Sequence, residues 1–121
     1  MPEKQFRFQE LEIWKKAARM TRDLLSLADG LQQHKHFRFT EQLRAATLSI
    51  TNNIAEGSGS QSKADFANFL NVARRSVFET ANILMILSQY GYLPGEDVPR
   101  LLNELAEESR IILGFIRTLR S

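Results

Sequence analysis

Proline is confined to three positions in this 121-residue chain, Pro2, Pro94 and Pro99, so residues 3–93 and 100–121 contain none. Proline breaks helix interiors, because its ring clashes with the preceding turn and it lacks an N–H. In both stretches apolar residues recur every three or four positions, and no run alternates apolar and polar residues as a strand would. The pattern predicts an all-α protein.

Four long helices are expected, over residues 8–29, 40–57, 62–90 and 97–119. Each carries an amphipathic apolar stripe, and polar or glycine-containing segments separate them. Thr40 has the side-chain oxygen that an N-cap needs, so it is expected to begin the second helix.

Short connections between long helices place consecutive helices antiparallel. The simplest arrangement is one domain over residues 1–121, an antiparallel up-down-up-down four-helix bundle. Its longest irregular segment is expected at residues 30–39. A chain of 121 residues buries enough apolar surface to fold without disulfides.

One apolar stripe on each helix is expected to form the core. These stripes comprise Leu11, Trp14, Ala18, Thr21 and Leu25; Leu43, Thr47, Ile50 and Ile54; Phe66, Leu70, Ala73, Val77, Ala81 and Leu84; and Val98, Leu101, Leu105, Ile112, Phe115, Ile116 and Leu119.

The third helix is also apolar away from its stripe, at Phe78, Met85 and Ile86. A bundle of four helices has no central helix, so apolar residues on a second face indicate a covering partner. They predict a homo-oligomer interface. The alternative is a wide core face with a few exposed apolar residues, which is ordinary in soluble proteins.

Composition excludes several classes of protein. The chain has 43% hydrophobic and 25% charged residues, as soluble domains do, and no cysteine for disulfides, iron–sulfur clusters or cysteine-ligated zinc. No N-terminal targeting pattern is visible. The longest apolar run, residues 83–87, is far shorter than the roughly 20 residues that span a bilayer. We expect a cytoplasmic protein with no membrane association.

Positive charge is concentrated in the first half of the chain. Residues 1–63 carry 10 Lys/Arg against 7 Asp/Glu, a net of +3, whereas residues 64–121 have a net of −1. Phe37 and Phe39 interleave with the last cations, as suits backbone neutralisation and base stacking on single-stranded nucleic acid. The candidate phosphate contacts are Lys15, Arg19, Arg22, Lys35 and Arg38. The alternative is a solvated helix face, partly paired through Glu12 and Lys16.

No pattern indicates catalysis, a metal or a cofactor. His34 and His36 have no carboxylate close in sequence to complete a metal site, and Glu-x-x-His pairs of di-iron bundles are missing. The Gly/Ser segment 57–60 lacks the strand and the Lys-Ser/Thr ending of a P-loop, so it predicts a tight turn.

Asn53, Glu56 and Gly57 close the second helix and are interpreted as a structural motif that locks the turn. A carboxylate at a helix C-terminus is unfavourable because of the helix dipole. Glu56 is therefore expected to have a compensating partner, either an arginine or the N–H groups that begin the third helix.

Several motifs resemble one known family. They are Leu11-x-x-Trp14, Gln42-Leu43-x-x-Ala46, Asn53-Ile54-Ala55-Glu56-Gly57, Phe66-x-x-Phe69-Leu70-x-x-Ala73 and Tyr90-Gly91-Tyr92-Leu93. In these the chain resembles the four-helix-bundle proteins of intervening sequences in bacterial large-subunit ribosomal RNA genes. It also looks like the accessory variability proteins of diversity-generating retroelements, basic pentameric barrels that bind nucleic acid and a reverse transcriptase.

The resemblance implies a homopentamer, no enzymatic activity, and an RNA or ribonucleoprotein partner. The chain departs from the family pattern at Thr51, often proline, at Ser60, often basic, and at Arg75, often glycine. The missing basic residue argues against a ligand role for segment 57–60, and Arg75 is a candidate partner for Glu56 or Glu79. The main hypothesis is therefore a non-enzymatic RNA-binding oligomer. The alternative is a protein–protein interaction scaffold.

Overall fold

The computed structural model describes residues 3–121, in which a short 3₁₀-helix at Arg7–Glu10 precedes four α-helices. The helices are α1 (Glu12–Gln33), α2 (Phe37–Ser58), α3 (Lys63–Gln89) and α4 (Val98–Arg120). Consecutive helices pack against each other and α4 packs back onto α1, so the four surround one apolar core. The all-α four-helix bundle expected from the sequence is confirmed.

The predicted core stripes of α2, α3 and α4 are buried or packed against the core. The stripe predicted for α1 is only partly correct: Leu11 and Trp14 pack against the core, whereas Ala18, Thr21 and Leu25 do not belong to it. Its members are only partly buried, and Trp14, Ala18 and Thr21 line a shallow cavity against α2. The residues of α1 that form the core are Ile13, Ala17, Met20, Leu24, Leu27, Ala28 and Leu31. The apolar surface of α1 is wider than one stripe of residues, and the predicted stripe lies along the edge of that surface.

The connection between α1 and α2 is shorter than expected. α1 continues through Gly30 to Gln33, since the buried Leu31 outweighs the roughly 1 kcal/mol that glycine costs inside a helix. α2 begins at Phe37, so Thr40 is not its N-cap. The Thr40 hydroxyl is buried and donates to the His36 carbonyl at 2.9 Å.

The bundle has two ends of different character. At the end we call the glycine turn, residues 59–62 join α2 to α3; Gly57 and Ser58, expected in the turn, are the last residues of α2. Ser62 caps α3 by accepting a hydrogen bond from the Asp65 N–H at 3.1 Å. At the other end, the tip, the α1–α2 connection (residues 34–36) lies beside the α3–α4 connection (residues 90–97), and the His36 and Tyr92 rings stack 4.1 Å apart.

Candidate nucleic-acid interface

Lys15, Arg19 and Arg22 share the side of α1 that faces away from the core, because residues at i, i+4 and i+7 fall on one helix face. Arg19 and Arg22 are exposed and make no ion pair within residues 3–121. The Lys15 Nζ atom lies 3.5 Å from the Glu12 Oε1 atom. We call these three residues the α1 stripe.

Carboxylates border the α1 stripe on the side of α4. Asp23 and Glu104 line a small cavity of about 230 Å³ together with Arg19. Asp23 accepts a hydrogen bond from Arg100 at 3.2 Å, and Glu107 pairs with Lys16 at 3.6 Å. The positive potential of the stripe is therefore partly offset by its neighbours.

Lys35 and Arg38 lie at the tip, apart from the α1 stripe. Lys35 follows Arg22 by 13 positions, and a helical rise of about 1.5 Å per residue puts the two roughly 20 Å apart along the axis. Neither Lys35 nor Arg38 makes an ion pair within the described part of the chain. The five candidate cations thus form two separate groups.

Local backbone geometry presents the tip cations to solvent. Lys35 adopts a left-handed conformation with φ of 65°, which favours glycine and costs an L-residue about 1 kcal/mol. α2 begins without a side-chain cap and without an acidic residue in its first turn, where Arg38 stands at the positive end of the helix dipole. The left-handed Lys35 and the uncapped start of α2 do not stabilise the connection, and the cations there raise its positive potential.

Aromatic side chains from both connections gather at the tip. Phe37 is 59% exposed and Tyr90 is 73% exposed, and Phe39 and Tyr92 also reach solvent. The Tyr92 ring lies 5.9 Å from Phe39 and 6.0 Å from Tyr90. We call His36, Phe39, Tyr90 and Tyr92 the aromatic cluster, and the exposed Phe37 is next to His36 in sequence. Sequence reasoning placed the phenylalanines beside the cations and missed the tyrosines.

A cleft of about 700 Å³ opens beside the aromatic cluster. Its walls come from the last turns of α1 and from both connections. The lining residues that carry polar side chains are Ser26, His34, His36, Tyr92 and Asp97. The Asp97 carboxylate pairs with Arg100 at 3.6 Å.

Gly57 lies where α2 and α3 approach most closely. A Cβ atom at this position would lie 2.7 Å from the Phe69 Cβ and 2.9 Å from the Phe66 ring. Because the first of these atoms is fixed to the backbone of α3, only glycine fits without a shift of the helices. This contact gives Gly57 a packing role.

Asn53 and Glu56 differ in their surroundings. The Asn53 side chain donates to the Ser49 carbonyl at 2.8 Å, and the Ser49 hydroxyl meets Ser76 of α3 at 2.7 Å. Glu56 is exposed and makes no ion pair among residues 3–121, with Arg75 or any other cation. The compensating charge partner expected for Glu56 is not found there.

Phe78, Met85 and Ile86 are exposed on α3, Phe78 to 57%. Phe78 and Met85 line an apolar groove of about 460 Å³ between α3 and α4, opposite Leu102. The Arg74 guanidinium lies 5.1 Å from the centre of the Phe78 ring. Self-association through this face stays a prediction.

Glu108 is a buried acid that no sequence motif marked. Its side chain is 0% exposed, and neither carboxylate oxygen has a hydrogen-bond partner within residues 3–121. Burial raises the pKa of Glu108 to about 8, while Lys16 and Arg19 oppose the rise. The sequence could have indicated that Glu108 is buried, because it lies between Leu105 and Ile112 on the core stripe of α4.

Among residues 3–121, no three His, Asp or Glu side chains lie close enough together to hold a metal ion. No helix in that range has the length and apolar character needed to cross a membrane.

Comparison with known proteins identifies a family and a similar solved structure. A family model described as 23S rRNA-intervening sequence protein matches residues 9–114. The crystal structure of a protein of unknown function from the S23 ribosomal protein family of Bacteroides thetaiotaomicron VPI-5482 is 28% identical, with a TM-score of 0.81. The match covers 86% of this chain and 97% of that chain. No curated protein matches the sequence.

Proposed function

The chain belongs to the 23S rRNA-intervening sequence protein family, and on this premise we propose that it is a non-enzymatic, cytosolic homo-oligomer that binds RNA through basic surface residues. The observation that supports the proposal is that four of the exposed cations without ion-pair partners in residues 3–121, Arg19, Arg22, Lys35 and Arg38, lie in the more basic first half of the chain. Cations that the fold does not use are available to phosphates.

The two groups of cations have different weights in this proposal. The α1 stripe is bordered by Asp23 and Glu104, which weakens its attraction for phosphate. Lys35 and Arg38 stand at a helix N-terminus, where the dipole adds to their charge. We therefore assign the stronger contacts to the tip, and the α1 stripe extends the same site along the side of the bundle.

Self-association is part of the proposal. Phe78, Met85 and Ile86 form the interface, and the family resemblance makes a pentamer the expected assembly. Repetition of the cations around a ring would multiply a field that is weak for one subunit with a net charge of +2. The link to accessory variability proteins of retroelements stays a prediction.

RNA binding is tested by fluorescence anisotropy at several salt concentrations, with the mass in solution measured on the same sample. Replacement of Lys15, Arg19 and Arg22 by glutamine is expected to weaken binding and to flatten the salt dependence by up to about 0.7 in log–log slope per lost contact. The matched control replaces Lys63, Arg75 and Arg117, three exposed cations on α3 and α4. An equal loss in both triple variants would contradict a site on α1.

A second function, a protein-interaction scaffold, is favoured by one observation, the apolar groove between α3 and α4. Such a groove accepts an amphipathic helix. Binding of a partner protein that is insensitive to salt and is lost in Met85→Ser would support the scaffold, whereas binding of RNA with a steep salt dependence would support the first proposal.

A further inference from the structure

We propose that the aromatic cluster at the tip stacks on unpaired bases of single-stranded nucleic acid. This inference rests on the proposed RNA-binding function and names the part of the nucleic acid that is recognised. Its starting observation is the convergence of exposed aromatic rings from two separate connections onto one end of the bundle.

The rings are arranged as a stacking surface. Tyr92 and His36 are nearly parallel, with an interplanar angle of 16° and ring centres 4.1 Å apart. His36 supports one face of Tyr92, while 39% of the tyrosine stays exposed. Tyr90 extends the aromatic surface outward, with its ring centre 6.0 Å from that of Tyr92, and Phe37 adds a second largely exposed ring at the same end of the bundle. Flat exposed rings accept bases of any sequence, since every base has a π-face.

Charge complementarity favours nucleic acid as the occupant. Lys35 and Arg38 neighbour His36, Phe37 and Phe39 in sequence and make no ion pair within the described residues, so a base on the cluster would place its phosphate near two unpaired cations. Of the two carboxylates in the neighbouring connection, Asp97 is paired with Arg100 and Glu96 opposes the phosphate. Residues 34–39 and 90–97 include one branched aliphatic residue, Leu93, and its side chain is buried. The aliphatic surface that suits a protein partner lies elsewhere, in the α3–α4 groove.

The cleft beside the cluster has the size and chemistry for a base and its sugar. Its volume of about 700 Å³ falls in the range of small-ligand sites. His34, Ser26 and Asp97 offer donors and acceptors to base edges, which is how proteins read unpaired bases. The narrow turn at Gly91, with φ of 75°, brings the Tyr92 ring to the cleft wall.

The test compares probes that share phosphates and differ in bases. Anisotropy is measured with a labelled single-stranded adenine RNA of about ten nucleotides, with its DNA counterpart, and with an abasic strand of equal length. We expect about tenfold or tighter binding of the base-containing strands than of the abasic strand. The stronger of the RNA and DNA strands identifies the natural sugar.

Two exposed substitutions locate the effect. Phe37→Ala and Tyr90→Ala are each expected to weaken binding of the adenine strand about fivefold or more and to leave abasic binding unchanged. Phe6→Ala is the matched control, because Phe6 is exposed to 60% and Phe37 to 59%, and Phe6 lies outside the proposed subunit interface. Circular dichroism on each variant verifies the fold.

The outcomes separate the two proposals. Equal binding of base-containing and abasic strands, or equal losses in Phe37→Ala and Phe6→Ala, would overturn base stacking and leave phosphate binding standing. Failure of every strand to bind at low salt would overturn both proposals.

Discussion

The two ends of the bundle use aromatic residues in opposite ways. At the glycine turn, Phe66 is buried against Phe115 with the ring centres 5.3 Å apart, and the Arg7 guanidinium lies over its ring. At the tip, Phe37 and Tyr90 extend into water. Both ends join antiparallel helices by short connections, so chain topology does not require the difference. Packing dictates the residues of the glycine turn, whereas the tip residues exceed what the fold needs.

The largest expected effect concerns Glu108, a buried residue between the two ends. Its pKa in the folded protein, about 8, exceeds its ordinary value of 4.5. The folded state therefore retains a proton that the unfolded state releases, so the contribution of Glu108 to stability is fully present below pH 4.5 and is lost as the pH rises to about 8. Over that window the loss is on the order of 3–5 kcal/mol.

Glu108→Gln removes this titration while keeping the shape of the neutral acid. Urea unfolding at pH 5 and pH 8 is expected to show the variant gaining stability over the natural protein as the pH rises. Glu107→Gln, an exposed neighbour paired with Lys16, is the control. An unchanged difference between Glu108→Gln and the natural protein at the two pH values would show that the carboxyl is ionised in the fold.

The next effect tests the glycine turn directly. Gly57→Ala forces α2 and α3 apart and is expected to cost about 1–3 kcal/mol of unfolding free energy. Gly114→Ala in α4 is the control, because no atom lies within 4 Å of a Cβ there. It should stabilise by about 0.5–1 kcal/mol. Thermal melts that shift equally in both variants would refute a packing role for Gly57.

Lys35→Gly tests whether the tip gives up stability for charge. Glycine adopts φ of 65° without strain, so the fold should keep its stability or gain up to about 1 kcal/mol. RNA binding should weaken, with a loss of about 0.7 in salt slope. Lys63→Gly at the glycine turn removes the same charge from the other end. If both variants bind RNA alike, the tip has no special role.

The smallest effect comes from Glu96, an exposed carboxylate in the α3–α4 connection at the tip. Its negative charge opposes phosphate, so Glu96→Gln is expected to tighten RNA binding about twofold at low salt. Glu56→Gln, at the glycine turn, should leave affinity unchanged. Anisotropy titrations compare the two variants. Tighter RNA binding by Glu56→Gln would place the phosphates at the glycine turn and contradict a site at the tip.

Helix number and order were predictable because proline placement and apolar spacing leave few alternatives. The face of α1 was not. Leu11 and Trp14 begin one regular apolar stripe, and Ile13, which lies between them, begins another. The periodicity of a single helix cannot decide which of the two stripes faces the core. Only packing against both α2 and α4 decides which flank is central.

The sequence predicted the part of the candidate interface that comes from the α1–α2 connection and the start of α2, and it missed the part that comes from the α3–α4 connection. Lys35, Arg38 and the phenylalanines are adjacent in sequence, so local composition marked them. Tyr90 and Tyr92 lie more than fifty positions further on, and antiparallel topology brings them to the same end. The up-down-up-down order of the helices implies that the α1–α2 and α3–α4 connections lie at the same end of the bundle.

The positions of residues near the two chain ends have a practical consequence. Arg7 contacts Phe66 and Arg120 reaches Asn68 at 3.5 Å, so both lie at the glycine turn. α1 alone, with 22 residues, separates that end from the tip by roughly 33 Å. A fluorophore, a sensor surface or a fused domain joined near either chain end would therefore leave the stacking surface pointing outward, ready for a binding assay.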